Sequence, residues 1–310
     1  MAQSSGAAPL RIGTRGSPLA LVQARTVRAR LAVALGVNEA AIEIVIIRTS
    51  GDAIQDRPLA DVGGKGLFTK EIEEALLDGR IDLAVHSAKD MPTFSQPGLT
   101  LAACLEREDP RDVFISRKAG SLAELPQGAT LGTASLRRQA IAKRARGDLR
   151  VVPLRGNVET RLRKLADGEV DATILALAGL KRLGLAEHAT KIMSAEEFLP
   201  AVGQGAIGIE AREDDARTRE LLARIDHADT STALACERAF LAVLDGSCKT
   251  PIGGHADISG DTIHFRGLIA RPDAAAAHDV AGTGLRKDAI MIGGEAGREL
   301  KAQAGPGFFD

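Results

Sequence analysis

Leu10-Arg11-Ile12-Gly13-Thr14-Arg15-Gly16-Ser17-Pro18 is the stretch that decides the fold. Leu10 to Gly13 reads as a short strand, and Thr14 to Ser17 turns the chain into a helix. Ser17 suits the N-cap, because its side-chain oxygen can accept from an N–H of the first turn. Pro18 suits the first helical position, where no backbone N–H is needed. Ala20, Ala24, Val27, Leu31 and Leu35 then recur every three or four residues, an apolar stripe that Gly36 ends. The β-branched run Ile42–Ile47 reads as a buried strand. Strand, helix and strand in this order form a βαβ unit, so a mainly parallel sheet is expected.

The alternation continues outward. Gly63-Gly64-Lys65-Gly66 is a glycine-rich loop. A second helix has Phe68, Ile72, Ala75 and Leu76 on one face and stops at Gly79, and Ile81–Val85 is the next strand. Two echoes suggest a pair of similar lobes. Gly13-Thr14-Arg15-Gly16-Ser17 and Gly132-Thr133-Ala134-Ser135 each open a helix, and Gly79-Arg80-Ile81-Asp82 and Gly168-Glu169-Val170-Asp171 each enter a strand. Their unequal spacing marks structural similarity rather than an array repeat; the plainer alternative is punctuation common to α/β units. The charged segment Glu106–Arg111, with Pro110, reads as a crossing between lobes, and Leu199–Gly205 as the return. Beyond about Asp226 the pattern changes. A helix from Ala233 to Leu244, a Gly/Pro loop and short strands near Ile258 and at Ile263–Ala270 read as a small α+β domain.

The chain's 310 residues suit two or three domains. Apolar residues are 45% and charged residues 26%, ordinary for a globular protein. With 40 basic and 41 acidic residues the formal net charge is −1, which gives no global argument for nucleic acid or an anionic membrane. No stretch approaches the roughly 18 apolar residues of a membrane span. Met1–Pro9 has no basic region followed by an apolar one, so no secretory signal is expected and a cytoplasmic location is. Cys104, Cys236 and Cys248 are too scattered for a disulfide framework. Aromatics are 3% and all are Phe, which disfavours binders that stack single-stranded bases. The six His show no tight ligand spacing, so no metal site is expected.

The basic residues are unusually placed. Arg15, Lys65, Lys89, Arg137, Arg138 and Arg155 lie in or beside Gly, Ser or Thr turns that lead from strand to helix, and the helix expected after Arg155-Gly156-Asn157 carries Arg161 and Arg163. In a parallel α/β sheet, ligands bind beyond the carboxyl ends of the strands. Free N–H groups at helix starts favour anions, and Arg adds a planar fork that fits carboxylate or phosphate. Any one Arg also reads as a solvated surface charge; the set reads as a cleft for a multiply anionic ligand. Neither a phosphate-binding loop nor a dinucleotide fingerprint is present. Asp90, in His86-Ser87-Ala88-Lys89-Asp90, reads either as a turn Asp before Met91-Pro92 or as a carboxylate set among cations. Cys248 lies on a loop rich in Gly, Ser and Pro beside Lys249, which favours the thiolate; it reads as a nucleophile, an attachment point or a tolerated residue. Cys104 and Cys236 read as core.

Seven motifs, in order, carry a resemblance. Thr14-Arg15-Gly16-Ser17-Pro18-Leu19-Ala20-Leu21-Val22-Gln23, Gly63-Gly64-Lys65-Gly66-Leu67-Phe68 and Ala84-Val85-His86-Ser87-Ala88-Lys89-Asp90 come first. Glu106-Arg107-Glu108-Asp109-Pro110-Arg111-Asp112, Gly132-Thr133-Ala134-Ser135-Leu136-Arg137-Arg138-Gln139, Leu154-Arg155-Gly156-Asn157 and Leu199-Pro200-Ala201-Val202-Gly203-Gln204-Gly205 follow. Together they resemble the porphobilinogen deaminases, also called hydroxymethylbilane synthases, from about residue 10 to 254. The resemblance implies a transferase of tetrapyrrole (haem, porphyrin) biosynthesis. It would join four porphobilinogen molecules head to tail into hydroxymethylbilane, releasing ammonia at each step. It also implies a dipyrromethane cofactor linked by a thioether to the loop cysteine, here Cys248.

By the same resemblance Asp90 matches the catalytic carboxylate. Ser87, Lys89, Asp90, Thr133, Ser135, Arg137, Arg138 and Arg161 match cofactor binders. Arg15, Ser17, Gln23, Phe68 and Arg155 match substrate binders, and Gly63, Gly64, Lys65 and Gly66 match the loop that covers the site. Ala134, Ser247 and Asp61 depart from residues common in the family, without touching Asp90, Cys248 or the Arg set.

The expected fold is α/β: two doubly wound, periplasmic-binding-protein-like lobes and a small α+β C-terminal domain. Residues 1–105 with 206–225 would form lobe 1, 106–205 lobe 2, and 226–310 the domain with the attachment cysteine. A monomer with no nucleic-acid or membrane partner is expected. Two rivals are a solute-binding module of the same topology, in which Cys248 has no purpose, and a nucleic-acid binder, which the scarcity of aromatics and the neutral charge disfavour.

Overall fold

Ser17 acts as its position predicts. Its Oγ accepts from the Ala20 N–H at 3.3 Å, and α1 (Pro18–Leu35) starts at Pro18, directly after β1 (Leu10–Thr14). Gly36, at φ 65°, closes α1 with its N–H directed at the carbonyls of Ala32 and Val33. Ala20, Ala24, Val27 and Leu31 are buried against the sheet, as the stripe requires. The computed structural model describes residues 10–53, 66–246 and 250–308.

Next come β2 (Ile42–Ile46), the short α2 (Ser50–Ala53), α3 (Lys70–Leu77), β3 (Leu83–Ser87) and β4 (Leu99–Cys104). Then β5 (Asp112–Ser116), β6 (Thr130–Gly132), α4 (Leu136–Ala145), β7 (Arg150–Val152), α5 (Val158–Ala166), β8 (Ala172–Ala176), α6 (Leu177–Leu183) and β9 (Lys191–Ile192) form a second group. The chain returns through β10 (Ile207–Arg212) and α7 (Ala216–Ala223). It ends in α8 (Ala228–Val243), β11 (Ile252–Ser259), β12 (Thr262–Ala270), β13 (Ala277–Leu285) and α9 (Ala289–Ala304).

Two five-stranded sheets have corresponding orders, β2-β1-β3-β10-β4 and β7-β6-β8-β5-β9. β1 is parallel to β2 and β3, and β6 to β7 and β8. In the fourth place each sheet holds a strand that runs the other way, β10 in the first and β5 in the second. Each of these strands directly follows a crossing segment, 199–205 or 106–111. Four of the five strands in each sheet therefore share one direction, the mainly parallel arrangement expected, and the fifth is reversed because a chain arriving from the other sheet enters from the opposite end.

The two echoes hold at atomic detail. Ser17 and Ser135 both cap helices that follow the second strand of their sheet. Asp82 accepts from Arg11 N at 2.8 Å and returns its own N–H to Arg11 O at 2.9 Å. Asp171 makes the same exchange with Thr130, at 2.7 and 2.9 Å.

Some local expectations need correction. β2 is an edge strand, with Ile42 buried but Ile46 57% exposed. Its β-branched run reflects strand propensity, not burial on both faces. α3 starts at Lys70, so Phe68 sits in the turn before it rather than on its face. α8 starts at Ala228, five residues before the expected Ala233, because His227 caps it by accepting from Thr230 N. The last domain also holds β13 and α9, beyond the strands read from sequence. Its antiparallel sheet β11-β12-β13 packs on α8 and α9 around Phe240 and Phe265, whose ring centroids are 4.9 Å apart. Cys104 and Cys236 are buried, as expected.

One buried carboxylate ties the parts together. Glu237 of α8 accepts from Arg107 Nη1 at 2.5 Å, Gly203 N at 2.7 Å and Ala256 N at 2.8 Å. Arg107 and Gly203 belong to the two crossing segments, and Ala256 to β11. Burial alone would push Glu237 up, but Arg107 and His255 together bring it down to about 2.

Candidate functional site

The ends of β1 and β3 build one wall. Past β1, Arg15 lays its guanidinium over the Phe68 ring, 4.2 Å from the centroid. That contact is a cation–π pair, and it holds both groups at the rim. Gln23, buried on α1, donates from Nε2 to Ser87 Oγ at 2.8 Å, fixing the end of β3. A tight 3-10 turn, Ala88–Asp90, follows and leaves Asp90 exposed. Arg15, Ser17, Gln23, Phe68, Ser87 and Asp90 all line a single cavity with Leu19, Ala20, Thr69, Val85 and His86. The structure thus brings six of the expected residues together. Behind them His86 Nε2 stands 3.6 Å from Glu210 Oε2, both fully enclosed.

Cations come from the turn after β3 and from the helices that follow β6 and β7. Lys89 Nζ is 3.3 Å from Gln204 Oε1. Burial, followed by the charge of Arg138, pushes Lys89 down to about 8. Arg161 is pushed down to about 10, again first by burial and then by Arg138. The charge of Asp90 opposes both shifts, which places it near Lys89 and Arg161. Arg155 has its Nη1 buried without a hydrogen-bond partner. Ser135 caps α4 by accepting from Arg138 N at 3.4 Å, and the buried Thr133 accepts from Ser135 N at 3.1 Å.

Arg137 and Arg138 are the surprise. Both are buried and paired with Asp112 of β5, at 2.8 Å each. Arg137 also donates to Leu199 O at 2.7 Å, and Arg138 to Ile174 O at 2.9 Å. Burial would raise Asp112, but Arg137 and Arg138 outweigh it and hold the carboxyl well below its usual range. Gln204 adds a bond to Asp112 at 2.9 Å and another to Pro110 O at 2.7 Å. Asp112 and Gln204 are missed by the sequence reading although both lie in quoted motifs. Those motifs read as crossing segments, and nothing in the spacing shows that they converge on one Arg pair. Four cations (Lys89, Arg137, Arg138, Arg161) face two carboxylates (Asp90, Asp112), which leaves an excess of positive charge.

Cys248 and the loop residues Gly63, Gly64 and Lys65 lie outside the described residues, as do Asp61 and Ser247. Gly66 is described and turns the chain toward α3 at φ 77°. Ala134 is exposed between the two capping residues of α4's entry.

Desolvated cations, an orphaned Arg155 N–H and hydroxyls at helix starts make a donor set suited to a ligand with several carboxylates. A family model described as "Porphobilinogen deaminase, dipyromethane cofactor binding domain" matches residues 10–220, and the family's C-terminal domain matches residues 231–302. The chain belongs to the porphobilinogen deaminase family. Porphobilinogen deaminase of Nitrobacter hamburgensis is 60% identical over 99% of this chain and 98% of its own length. That of Nitrobacter winogradskyi is 62% identical over 96% and 94%. The chain accordingly has the porphobilinogen deaminase function, a transferase activity, and carries the domain that binds dipyrromethane. The donor set fits that group, whose pyrroles bear carboxylate arms. Among solved structures, a nutrient-binding protein of Burkholderia cenocepacia bound to methionine aligns at 17% identity and TM-score 0.44, over 70% of this chain and 91% of its own. The sheet orders given above stand independently of that likeness. No helix among the described residues is long and apolar enough to cross a membrane.

Proposed function

We propose that the cleft joins four porphobilinogen molecules head to tail into hydroxymethylbilane, with Asp90 as the catalytic carboxylate. The observation that carries this is the place of Asp90. It is an exposed carboxylate after β3, on the lining shared by Arg15, Gln23, Phe68 and Ser87, and near Lys89 and Arg161. Each porphobilinogen brings an acetate and a propionate, so the product gains carboxylates as it grows. An excess of buried cations in a chain of net charge −1 suits that cargo.

Arg15, Ser17, Gln23, Phe68 and Arg155 bind the incoming pyrrole. Arg15 meets a carboxylate while the Phe68 ring bounds the plane in which the pyrrole lies. Ser87, Lys89, Asp90, Thr133, Ser135 and Arg161 hold dipyrromethane, with Cys248 as its point of attachment. Arg137 and Arg138 support that group chiefly through charge, since Asp112 and two carbonyls take half of their N–H donors, five of ten. When bound, dipyrromethane supplies the pyrrole carbon that attacks the incoming methylene. Asp90 accepts from pyrrole N–H groups and stabilises the cation that develops on the substrate as ammonia leaves. Such fixed charge, aimed where charge appears, is the strongest lever an active site has. Gly63, Gly64, Lys65 and Gly66 cover the site. The chain works as a cytoplasmic monomer, divided into 1–105 with 206–225, 106–205, and 226–310. The three separate sheets support that division.

Cys248→Ser tests the attachment. The variant is expected to fold, to carry no covalent pyrrole and to show no turnover; normal turnover would remove Cys248 from the reaction.

A further inference from the structure

Thr93 stands three residues beyond Asp90, half-buried, and its hydroxyl donates to the Gly246 carbonyl at 2.5 Å. Arg238 of α8 donates from Nη2 to the Thr93 carbonyl at 3.1 Å. These two bonds bind the segment after Asp90 to the far end of α8. Gly246 is seated tightly. A Cβ there would lie 2.4 Å from Leu241 Cδ1 and 2.6 Å from Ile252 Cδ1, so a larger residue would have to displace the ends of both side chains. Its N–H donates to Leu241 O at 3.1 Å. Asp245 before it has a left-handed backbone, φ 50°, which costs free energy for a residue with a Cβ. Lys301 secures that turn by donating to Asp245 Oδ2 at 3.1 Å and Val243 O at 3.0 Å.

Cys248 is two residues along the chain from Gly246. Two residues span at most about 7 Å. The reach of any group on Cys248 is thus limited by where Gly246 is held. Thr93 is the side chain that joins Gly246 to the segment following Asp90.

We propose that Thr93 is a positioning residue, whose hydroxyl holds Gly246, two residues from Cys248, to the segment that follows Asp90 and so limits how far a group carried on Cys248 can stray from that carboxylate. This rests on the reading that Cys248 carries dipyrromethane and that Asp90 acts on the substrate. The condensation needs two carbon atoms brought to a near-attack distance, and small misplacements at that point lower rates steeply. A single hydroxyl-to-carbonyl bond is too small to decide whether the chain folds. It is enough to decide how closely one loop follows another.

The test compares purified full-length Thr93→Val and Thr93→Ser with the parent protein. Valine keeps the shape and removes the donor; serine keeps the donor. Thr93→Val is expected to lower kcat about tenfold with KM for porphobilinogen within about twofold. Amide exchange of the peptide around Gly246 should speed up in Thr93→Val, and Thr93→Ser should restore slow exchange and at least half of kcat. Should Thr93→Val fail to fold, Thr93→Ala carries the same expectation. Parent-like kcat and exchange in Thr93→Val would overturn the proposal, and so would a Thr93→Ser as slow as Thr93→Val. Peptide mapping separates the underlying reading: a covalent pyrrole mass absent from the Cys248 peptide in the parent itself would overturn the attachment, and with it this role, whatever Thr93 does.

Discussion

Asp90 and Lys89 are neighbours in sequence with opposite duties. Asp90→Ala is expected to cut turnover at least about a hundredfold, as losses of fixed charge at a reacting centre do, and to leave dipyrromethane in place. Absorbance and intact mass check the bound group, steady-state assays the rate; near-native rates would remove the catalytic assignment. Lys89 gives a pH signature. Burial brings it down to about 8, so it is charged below that pH and loses its charge as pH rises through it. A bound carboxylate favours the charged form and moves the loss upward. kcat/KM is therefore expected to fall at or above about pH 8, and Lys89→Gln to lower it about tenfold at neutral pH while abolishing that limb. A persisting limb in Lys89→Gln would assign it to another group. At this scale the sequence was legible where a residue acts alone at a turn: Arg15, Ser17, Gln23, Phe68, Ser87 and Asp90 do share one cavity. It was not legible where function depends on a distant partner. Asp112 meets Arg137 and Arg138 only because β5 enters the second sheet against β8, and no local spacing encodes that.

Elements were read best where a cap announces them. Ser17-Pro18 and Gly36 bound α1 within a residue. They were read worst where burial, not propensity, decides. The run Ile42–Ile47 has the composition of a central strand, yet β2 lies at an edge. β13 was missed because its residues alternate half-buried and exposed, and include Gly282 and Gly284 in place of apolar side chains. Direction was also hidden, since a strand's composition does not say from which end the chain enters. The crossings set that direction, and Gly205 is their tightest point. It has φ 90°, and a Cβ there would lie 2.2 Å from Glu108 O of the other crossing. Arg182 Nη2 and the backbone N–H of Glu108 both donate to its carbonyl, at 2.7 and 3.2 Å. Gly205→Ala meets both backbone strain and a backbone clash. It is expected to destabilise by about 2–4 kcal/mol, read as a lower denaturant midpoint. An unchanged midpoint would mean that the crossings yield easily.

Across the whole molecule, Glu237 joins both crossings to the last domain. Its value of about 2 lies below the roughly 4.3 of an unfolded Glu. A lowered carboxyl adds stability that is present above about pH 4.3 and is lost as pH falls toward 2. Acid unfolding is expected in that window. Glu237→Gln strands Arg107 as a buried unpaired charge and should cost about 3–5 kcal/mol at neutral pH while flattening the acid dependence. A variant as stable as the parent would show that water reaches Arg107. The same architecture sets the turns after β1 and β3 around one cavity, and the most direct measurement of what the site holds is the mass of the purified protein under denaturing conditions. A covalent excess of two linked pyrrole units on the peptide that contains Cys248 is the predicted result. A protein that turns over porphobilinogen with an unmodified Cys248 peptide would contradict it.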